Sequence, residues 1–395
     1  YIEVNGKRPT AVYSGAGSLY VNGNYQNISS ETSITTDRLE VNGEGGAALF
    51  SEGGNINLKS KTSGQAMELT VNGKNSFAFF FRKDIYNSNT LLGKVTINGD
   101  VNVNLKNGAI GYYYEGSGVS NTADLQGYVN SITDTSSGKL AINTDSDSFN
   151  IAVKNAKVNL SVLKDLSGNS SIEITGSGKS KLTSSLLVVD IDSNIDKNNN
   201  TGDKTYRNTE VGKSGVYVNQ GVTLSGTEDN LVAIGQSYNY NDYNKISSQN
   251  NGTIELSGNN SIGIYTKRSE QSNAGIINLS GKNSIGMYTT TGIATNTGEI
   301  NIGNGGVGIY AESYPVPNDS TSNYLSFSIN NSGKITASSG EKAIGIYANE
   351  NSSGGNYGSG NLSLTEGTDI DVSASKGGVG IYSNKSYISG NGLNK

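Results

Sequence analysis

Alternation of aliphatic and polar residues over four to six positions, closed each time by a glycine-bearing turn, recurs along the chain and predicts short β-strands. In Thr253-Ile-Glu-Leu256, Ile254 and Leu256 share one face while Thr253 and Glu255 share the other. The same register returns at Ile277/Leu279, Ile300/Ile302, Ile335/Ala337 and Ile370/Val372. Four of these strands open on Asn-x-Gly-x-Ile: Asn250-Asn-Gly-Thr-Ile254, Asn273-Ala-Gly-Ile-Ile277, Asn296-Thr-Gly-Glu-Ile300 and Asn331-Ser-Gly-Lys-Ile335. This is read as a turn in which glycine takes the φ > 0 position and asparagine bonds its own backbone.

A small turn and a second strand phrase follow. Gly258-Asn-Asn-Ser-Ile-Gly-Ile-Tyr265 returns as Gly281-Lys-Asn-Ser-Ile-Gly-Met-Tyr288, and its ending returns at Gly308 to Tyr310, Gly345 to Tyr347 and Gly380 to Tyr382. Simple alternation places Ile262/Ile264, Ile285/Met287 and Val307/Ile309 inward and Gly263/Tyr265, Gly286/Tyr288 and Gly308/Tyr310 outward. These pairs predict two walls per turn of the chain, with a third, weaker wall in the variable stretch after tyrosine. The tyrosines are read as a stacking ladder along one edge, with a carbohydrate- or protein-binding stripe as the other reading.

The N-terminal half carries a diverged version. Val4-Asn-Gly6, Val21-Asn-Gly23, Val41-Asn-Gly43, Val71-Asn-Gly73 and Ile97-Asn-Gly99 end strands there, and Gly73-Lys-Asn-Ser-Phe-Ala-Phe-Phe80 aligns with Gly281 to Tyr288 without a gap. A same-phase repeat of about 22 residues fits parallel coils, and not hairpins joined by paired two-residue turns. The expectation is an all-β parallel β-helix (β-solenoid) of about thirteen coils with loop excursions. It is one continuous solenoid, diverged over 1–249 and regular over 250–395, with ladders of asparagine, serine and threonine at its corners.

Composition removes several functional classes. Histidine, cysteine and tryptophan are absent. No Ser-His-Asp triad, Cys-His dyad or His-ligated metal site can be assembled, and no disulfide helps to hold the fold. The net charge of -5, with no basic block, argues against nucleic acid. Glycine at 53 of 395 residues without a three-residue period excludes collagen. The chain opens on Tyr1-Ile-Glu-Val-Asn-Gly6, already strand-like, which suggests a piece of something longer.

On a solenoid, function gathers where the repeat is interrupted. Four polar stretches interrupt it: 191–206, 236–243, 312–320 and 349–360. Tyr238, Asn239, Tyr240, Asp242 and Tyr243 combine flat aromatic rings with amide and carboxylate groups suited to sugar recognition, and Tyr314 sits in the proline-bearing stretch. Asp190, Asp192, Asn194 and Asp196 alternate as hard-oxygen donors for calcium do, against a plain solvated loop. Ile195 stands where an EF-hand needs glycine, and no glutamate closes the set. Glycan hydrolysis needs a sustained carboxylate pair, yet the positions matching Glu255 are Asn278 and Asn301.

The phrases Asn-Ser-Ile-Gly-Ile-Tyr265 and Ile277-Asn-Leu-Ser-Gly-Lys-Asn-Ser-Ile-Gly-Met-Tyr288, with Thr295-Asn-Thr-Gly-Glu-Ile300 between repeats, closely resemble repeats in the passengers of large fusobacterial autotransporter adhesins. The close match covers roughly residues 250–350 and runs loosely to 385; the first two hundred residues match only in style. The resemblance implies a right-handed β-helical passenger segment of a type V secreted protein at the bacterial cell surface, anchored in the outer membrane by a C-terminal β-barrel absent from this chain. It implies virulence-linked adhesion to a host-cell receptor or glycan, or to a partner bacterial surface, without enzymatic activity or cofactor. The autotransporter proteases' serine motif is missing. The contact surfaces expected are the loops at 191–210, 236–246 and 312–326. A purely structural stalk and a β-helix polysaccharide-degrading enzyme are the alternative readings.

Overall fold

The computed structural model describes residues 1–22, 24–82, 93–115, 133–145, 147–154, 157–159, 179–181, 185–189, 215–237, 247–313, 326–350 and 360–390. Their regular elements are strands alone, in two compact units: Tyr1–Gly176 with Ser180–Leu187, and Ser177–Lys179 with Val188–Lys395.

In the first unit the chain passes repeatedly through three parallel walls. The first wall stacks Ile2–Asn5, Arg38–Asn42, Met67–Asn72, Val101–Lys106 and Leu140–Thr144. The aromatic wall stacks Thr10–Val21, Ala47–Glu52, Phe77–Arg82, Ile110–Glu115 and Phe149–Lys154. The third wall stacks Glu31–Thr35, Asn55–Lys59, Val95–Asn98 and Thr133–Ser137. Like sits beside like: Leu39 pairs with Leu69, Leu69 with Val103 and Val103 with Ile142, all buried. Inside the aromatic wall Phe79 stacks on Tyr112 at 4.7 Å.

One pairing departs from the parallel scheme. Thr10–Val21 continues past its neighbour and pairs antiparallel with Asn24–Ser29, Val21 opposite Asn24. Asn22, at φ 51°, begins the two-residue turn. Asn-Gly between two strand-forming runs is the strongest local hairpin signal. Val21-Asn-Gly23 therefore does not play the part of Val41-Asn-Gly43, where Gly43 N donates to Asn72 O of the next coil.

The second unit has three parallel walls as well. The tyrosine wall stacks Val232–Ser237, Ile262–Lys267, Ile285–Thr290, Val307–Glu312, Ile344–Asn349 and Val379–Asn384. The isoleucine wall stacks Thr223–Gly226, Thr253–Leu256, Ile276–Leu279, Glu299–Ile302, Lys334–Ala337 and Asp369–Asp371. The wall expected after tyrosine is present and complete: Gly215–Val218, Ser247–Asn250, Glu270–Asn273, Ile293–Asn296, Ser328–Asn331, Gly360–Leu364 and Ser386–Gly390. It is the asparagine wall, because Asn250, Asn273, Asn296 and Asn331 point inward, fully buried. The described architecture is thus all-β and repetitive, its parallel strands stacked as in a β-solenoid.

Two local expectations are corrected. Ile254/Leu256 and Ile277/Leu279 are buried as alternation requires, but in the tyrosine phrase Gly263 and Ile264 are both buried while Ile262 and Tyr265 are half-exposed. The alternation slips between Gly263 and Ile264, so one aliphatic column (Ile264, Met287, Ile309, Ile346) enters the core and the other stays beside the tyrosines. Glycine is needed because it faces the opposite wall: a Cβ on Gly286 would lie 2.6 Å from Ile300 Cγ2 and 2.5 Å from Gly308 O.

The glycines of Asn-x-Gly-x-Ile have no left-handed φ. They allow close contact between coils instead, since a Cβ on Gly275 would lie 2.0 Å from Gly252 O. Left-handed residues recur one corner later, at Asn230, Asn260, Asn283, Gly305, Lys342 and Gly377, and at the corner before the asparagine wall, at Arg268, Thr291 and Lys385.

Candidate functional site

Tyr238, Asn239, Tyr240, Asp242, Tyr243 and Tyr314 lie outside the described residues, as do Asp190, Asp192, Asn194 and Asp196. The flanking strands nevertheless show between which walls the interrupting stretches fall. In the second unit the corner from the tyrosine wall to the asparagine wall holds two residues in the regular coils, 268–269 and 291–292. It widens to 238–246, 313–327 and 350–359 in three others. In the first unit the corner after the aromatic wall behaves likewise, holding 53–54 in one coil, then 83–94 and 116–132. In the second unit register survives the interruption at 313–327, with Val307 paired to Ile344 and Ala294 to Ile329; in the first, the strand after 116–132 slips by one residue against its neighbour between Thr96 and Asn98.

Beside that corner in the second unit runs the tyrosine column. Tyr310 and Tyr347 stack at 4.7 Å, as do Tyr347 and Tyr382, while Tyr265, Tyr288 and Tyr310 meet edge to face. Glu312 accepts from the hydroxyls of Tyr288 and Tyr310. Partial burial, followed by the bond to Glu312, pushes the Tyr288 phenol up to about 12; burial and the Glu312 charge raise Tyr310. In the first unit Phe50 and Phe80 stack at 4.4 Å beneath Arg82, whose guanidinium also lies 3.7 Å from Glu52. In both columns each ring meets a ring of the next coil, stacked or edge to face, which fits the ladder reading.

A different corner of the first unit forms a groove that the repeat-based reading passed over. The step from the third wall to the first takes two residues at 36–37, 99–100 and 138–139, but seven at 60–66. Asp37, in the preceding coil's corner, holds this longer segment: its carboxylate accepts from Thr62 N at 2.7 Å, Thr62 Oγ1 at 2.9 Å and Ser60 Oγ at 3.0 Å. Those bonds, the Thr62 amide foremost, hold the carboxyl below its usual range. Gln65 N donates to Thr62 O, closing a turn with Gly64 at φ 78°.

Between this segment and the corners of the following coils lies a groove of about 410 Å³ lined by Lys59, Ser63, Gln65, Asn98, Asp100 and Ser137, among others. On the neighbouring walls the outward amides are committed to carboxylates: Asn55 and Asn57 donate to Glu31, Asn102 and Asn104 to Glu68. In the groove the side chains of Lys59, Ser63, Gln65, Asn98 and Ser137 have no protein partner. The signal in the sequence is the length of Ser60-Lys-Thr-Ser-Gly-Gln-Ala66 between two strands, a segment that carries no phrase of the repeat.

Among the described residues no group of three or more His, Cys, Asp or Glu is placed to hold a metal ion, and no helix is long and apolar enough to cross a membrane. No protein-family model, curated protein or solved structure matches the chain.

Proposed function

We propose that this chain is a segment of an exported bacterial adhesin, a right-handed β-solenoid of about thirteen coils whose excursions meet a host receptor, a glycan or another bacterium. One observation carries the reading: within each unit, interruptions of very different length fall at the corner after the aromatic wall, and in the second unit the ladder on either side of 313–327 keeps its register. A scaffold that tolerates variable insertions along one edge is suited to presenting contact loops. The resemblance to fusobacterial autotransporter passengers points the same way and supplies the expected route, type V secretion with a β-barrel anchor elsewhere in the full protein. The reading is non-enzymatic, supported by a sequence with neither histidine nor cysteine. On this reading Tyr238, Tyr240, Tyr243 and Tyr314 belong to contact loops, and calcium at Asp190 to Asp196 is not required.

The test is attachment of beads coated with the purified segment to host cells and to partner bacteria. Removing the loops at 191–210, 236–246 and 312–326 is expected to abolish attachment while leaving the far-ultraviolet circular dichroism and melting unchanged. Full attachment by the triple deletion would turn the reading toward a stalk.

A further inference from the structure

We propose that the groove formed by residues 60–66 and the adjoining corners of the first unit is a subsite for an acidic sugar residue of a glycan. This rests on the adhesin reading for its purpose, but its evidence is separate. Three features set the groove apart from the rest of the described surface. Its rim is an insertion, seven residues where the same corner elsewhere has two. The insertion is held in one conformation by three hydrogen bonds to Asp37, so little ordering cost remains to be met on binding. Its lining keeps an ammonium, two primary amides and two hydroxyls uncommitted, although the outward amides of the neighbouring walls are paired.

The chemistry of those groups selects the ligand. Two amides and two hydroxyls supply both donors and acceptors, which suits a partner that presents alternating hydroxyls. No aromatic residue lines the groove, so recognition rests on hydrogen bonds and not on ring stacking. In these corners Lys59, Lys61 and Lys139 outnumber Asp37 and Asp100 by one, whereas the chain as a whole carries -5. Lys59, Lys61 and Lys139 lie on the insertion and its neighbouring corner with no ion pair. The acids beside them are already engaged: Asp37 by Thr62 and Ser60, and Asp100 Oδ1 by Lys139 N at 3.0 Å. A carboxylate on the sugar therefore meets Lys59 without displacing an existing partner. At about 410 Å³ the groove lies in the usual size range of small-ligand sites. One open polar groove binds weakly, on the order of millimolar, and gains strength through repeated presentation on a surface.

The experiment is a titration of the whole chain with sialyllactose, with a glucuronate-bearing oligosaccharide and with neutral lactose, followed by ligand-observed NMR. Both acidic sugars are expected to bind and lactose to bind at least about tenfold more weakly, the loss of one charge-assisted hydrogen bond. Lys59→Ala is expected to reduce binding of the acidic sugars to the lactose level, and Gln65→Ala with Asn98→Ala to weaken all three. Shortening 60–66 to two residues is expected to abolish binding; if that variant melts early, the point variants decide. Equal binding of acidic and neutral sugars overturns the acidic assignment. Binding unchanged by Lys59→Ala and by Gln65→Ala with Asn98→Ala, or no binding at millimolar sugar, overturns the site. Cell attachment retained by a chain that has lost sugar binding would leave adhesion standing and detach it from this groove. Sugar binding without attachment would sink the adhesin reading alone.

Discussion

Asn273 donates its Nδ2 hydrogen to Asn296 Oδ1 at 2.8 Å, both side chains being fully buried. The bond is one rung of a ladder, with Asn250 to Asn273 and Asn296 to Asn331 at the same 2.8 Å. The last rung keeps its length although the coil between them carries the long corner 313–327. Asn273 and Asn296 are thus each donor to one coil and acceptor from another, which apolar packing alone cannot supply. Asn273→Ala strands Asn296 Oδ1 without its donor and removes an acceptor from Asn250 Nδ2, at a cost of about 2 kcal/mol. Urea denaturation monitored by circular dichroism measures it; a midpoint unchanged from the parent would show that the ladder is passive.

Corner ladders of asparagine, serine and threonine were legible in the sequence, and so were the isoleucine wall and the third wall after tyrosine. The role of Gly263 and Gly286 was not, because period-two alternation cannot reveal a slip that turns two successive residues inward. The hairpin at Val21-Asn-Gly23 was hidden by its likeness to Val41-Asn-Gly43; what separates them is the strand-forming run that follows directly in one case and Glu44-Gly-Gly46 in the other. The groove at 60–66 was missed for a related reason: an insertion shows only once the strands on both sides are assigned to walls. The tyrosine and aspartate candidates in the excursions lie where no repeat constrains the chain.

Gly286→Ala tests the slip. The added methyl meets Gly308 O and Ile300 Cγ2 inside ordinary contact distance, and one of the two is backbone, so the coil must shift. A loss of about 1 to 3 kcal/mol is expected. Ala78 occupies the matching place of the first unit and is fully buried, so Ala78→Gly there costs about 1 kcal/mol through lost packing and added chain entropy. Thermal melts of the two variants give the comparison, and a neutral Gly286→Ala would show that glycine is not required there.

The phenol of Tyr288 titrates near 12 in the fold against 10 for an ordinary tyrosine, and Tyr310 and Tyr265 are raised in the same direction. A raised folded value means the unfolded chain gives up its proton first. Stability is therefore complete below pH 10 and falls as pH rises through 12. Glu312→Gln removes the carboxylate that holds the Tyr288 and Tyr310 protons, so their share of the tyrosinate absorbance moves toward pH 10. A difference titration at the tyrosinate band checks it, and superimposable curves for parent and variant would refute the pairing.

Gln271 is buried with neither amide atom bonded to protein, and Gln236 Nε2 and Ser269 Oγ nearby are in the same condition. Ser248, beside Gln271 in the ladder, is bonded to Gln236. An unpartnered buried amide costs about 1 to 3 kcal/mol. Gln271→Met keeps the volume and removes the two polar atoms, so a gain of about 1 kcal/mol in denaturant is expected. Destabilisation by a similar amount would mean that internal water satisfies the amide.

The corner at 313–327 separates scaffold from function most directly. Its neighbour makes the same step with Thr291 and Gly292 alone, and the strands on either side already pair in register with that coil. Deleting 314–326 leaves Ser313 and Phe327 as a two-residue corner. Both are buried, and Ser313's bond to Glu350 and Phe327's contact with Gly360 lie outside the deleted stretch. Shortening a loop lowers the entropy lost on closing it, by about 0.6 kcal/mol for each halving of its length. The variant is expected to melt at or slightly above the parent temperature and to keep its resistance to proteolysis, while losing whatever contact Tyr314 and its neighbours make. A lower melting temperature would make the excursion part of the stack and would remove the reason for regarding that corner as the edge from which contact loops are presented.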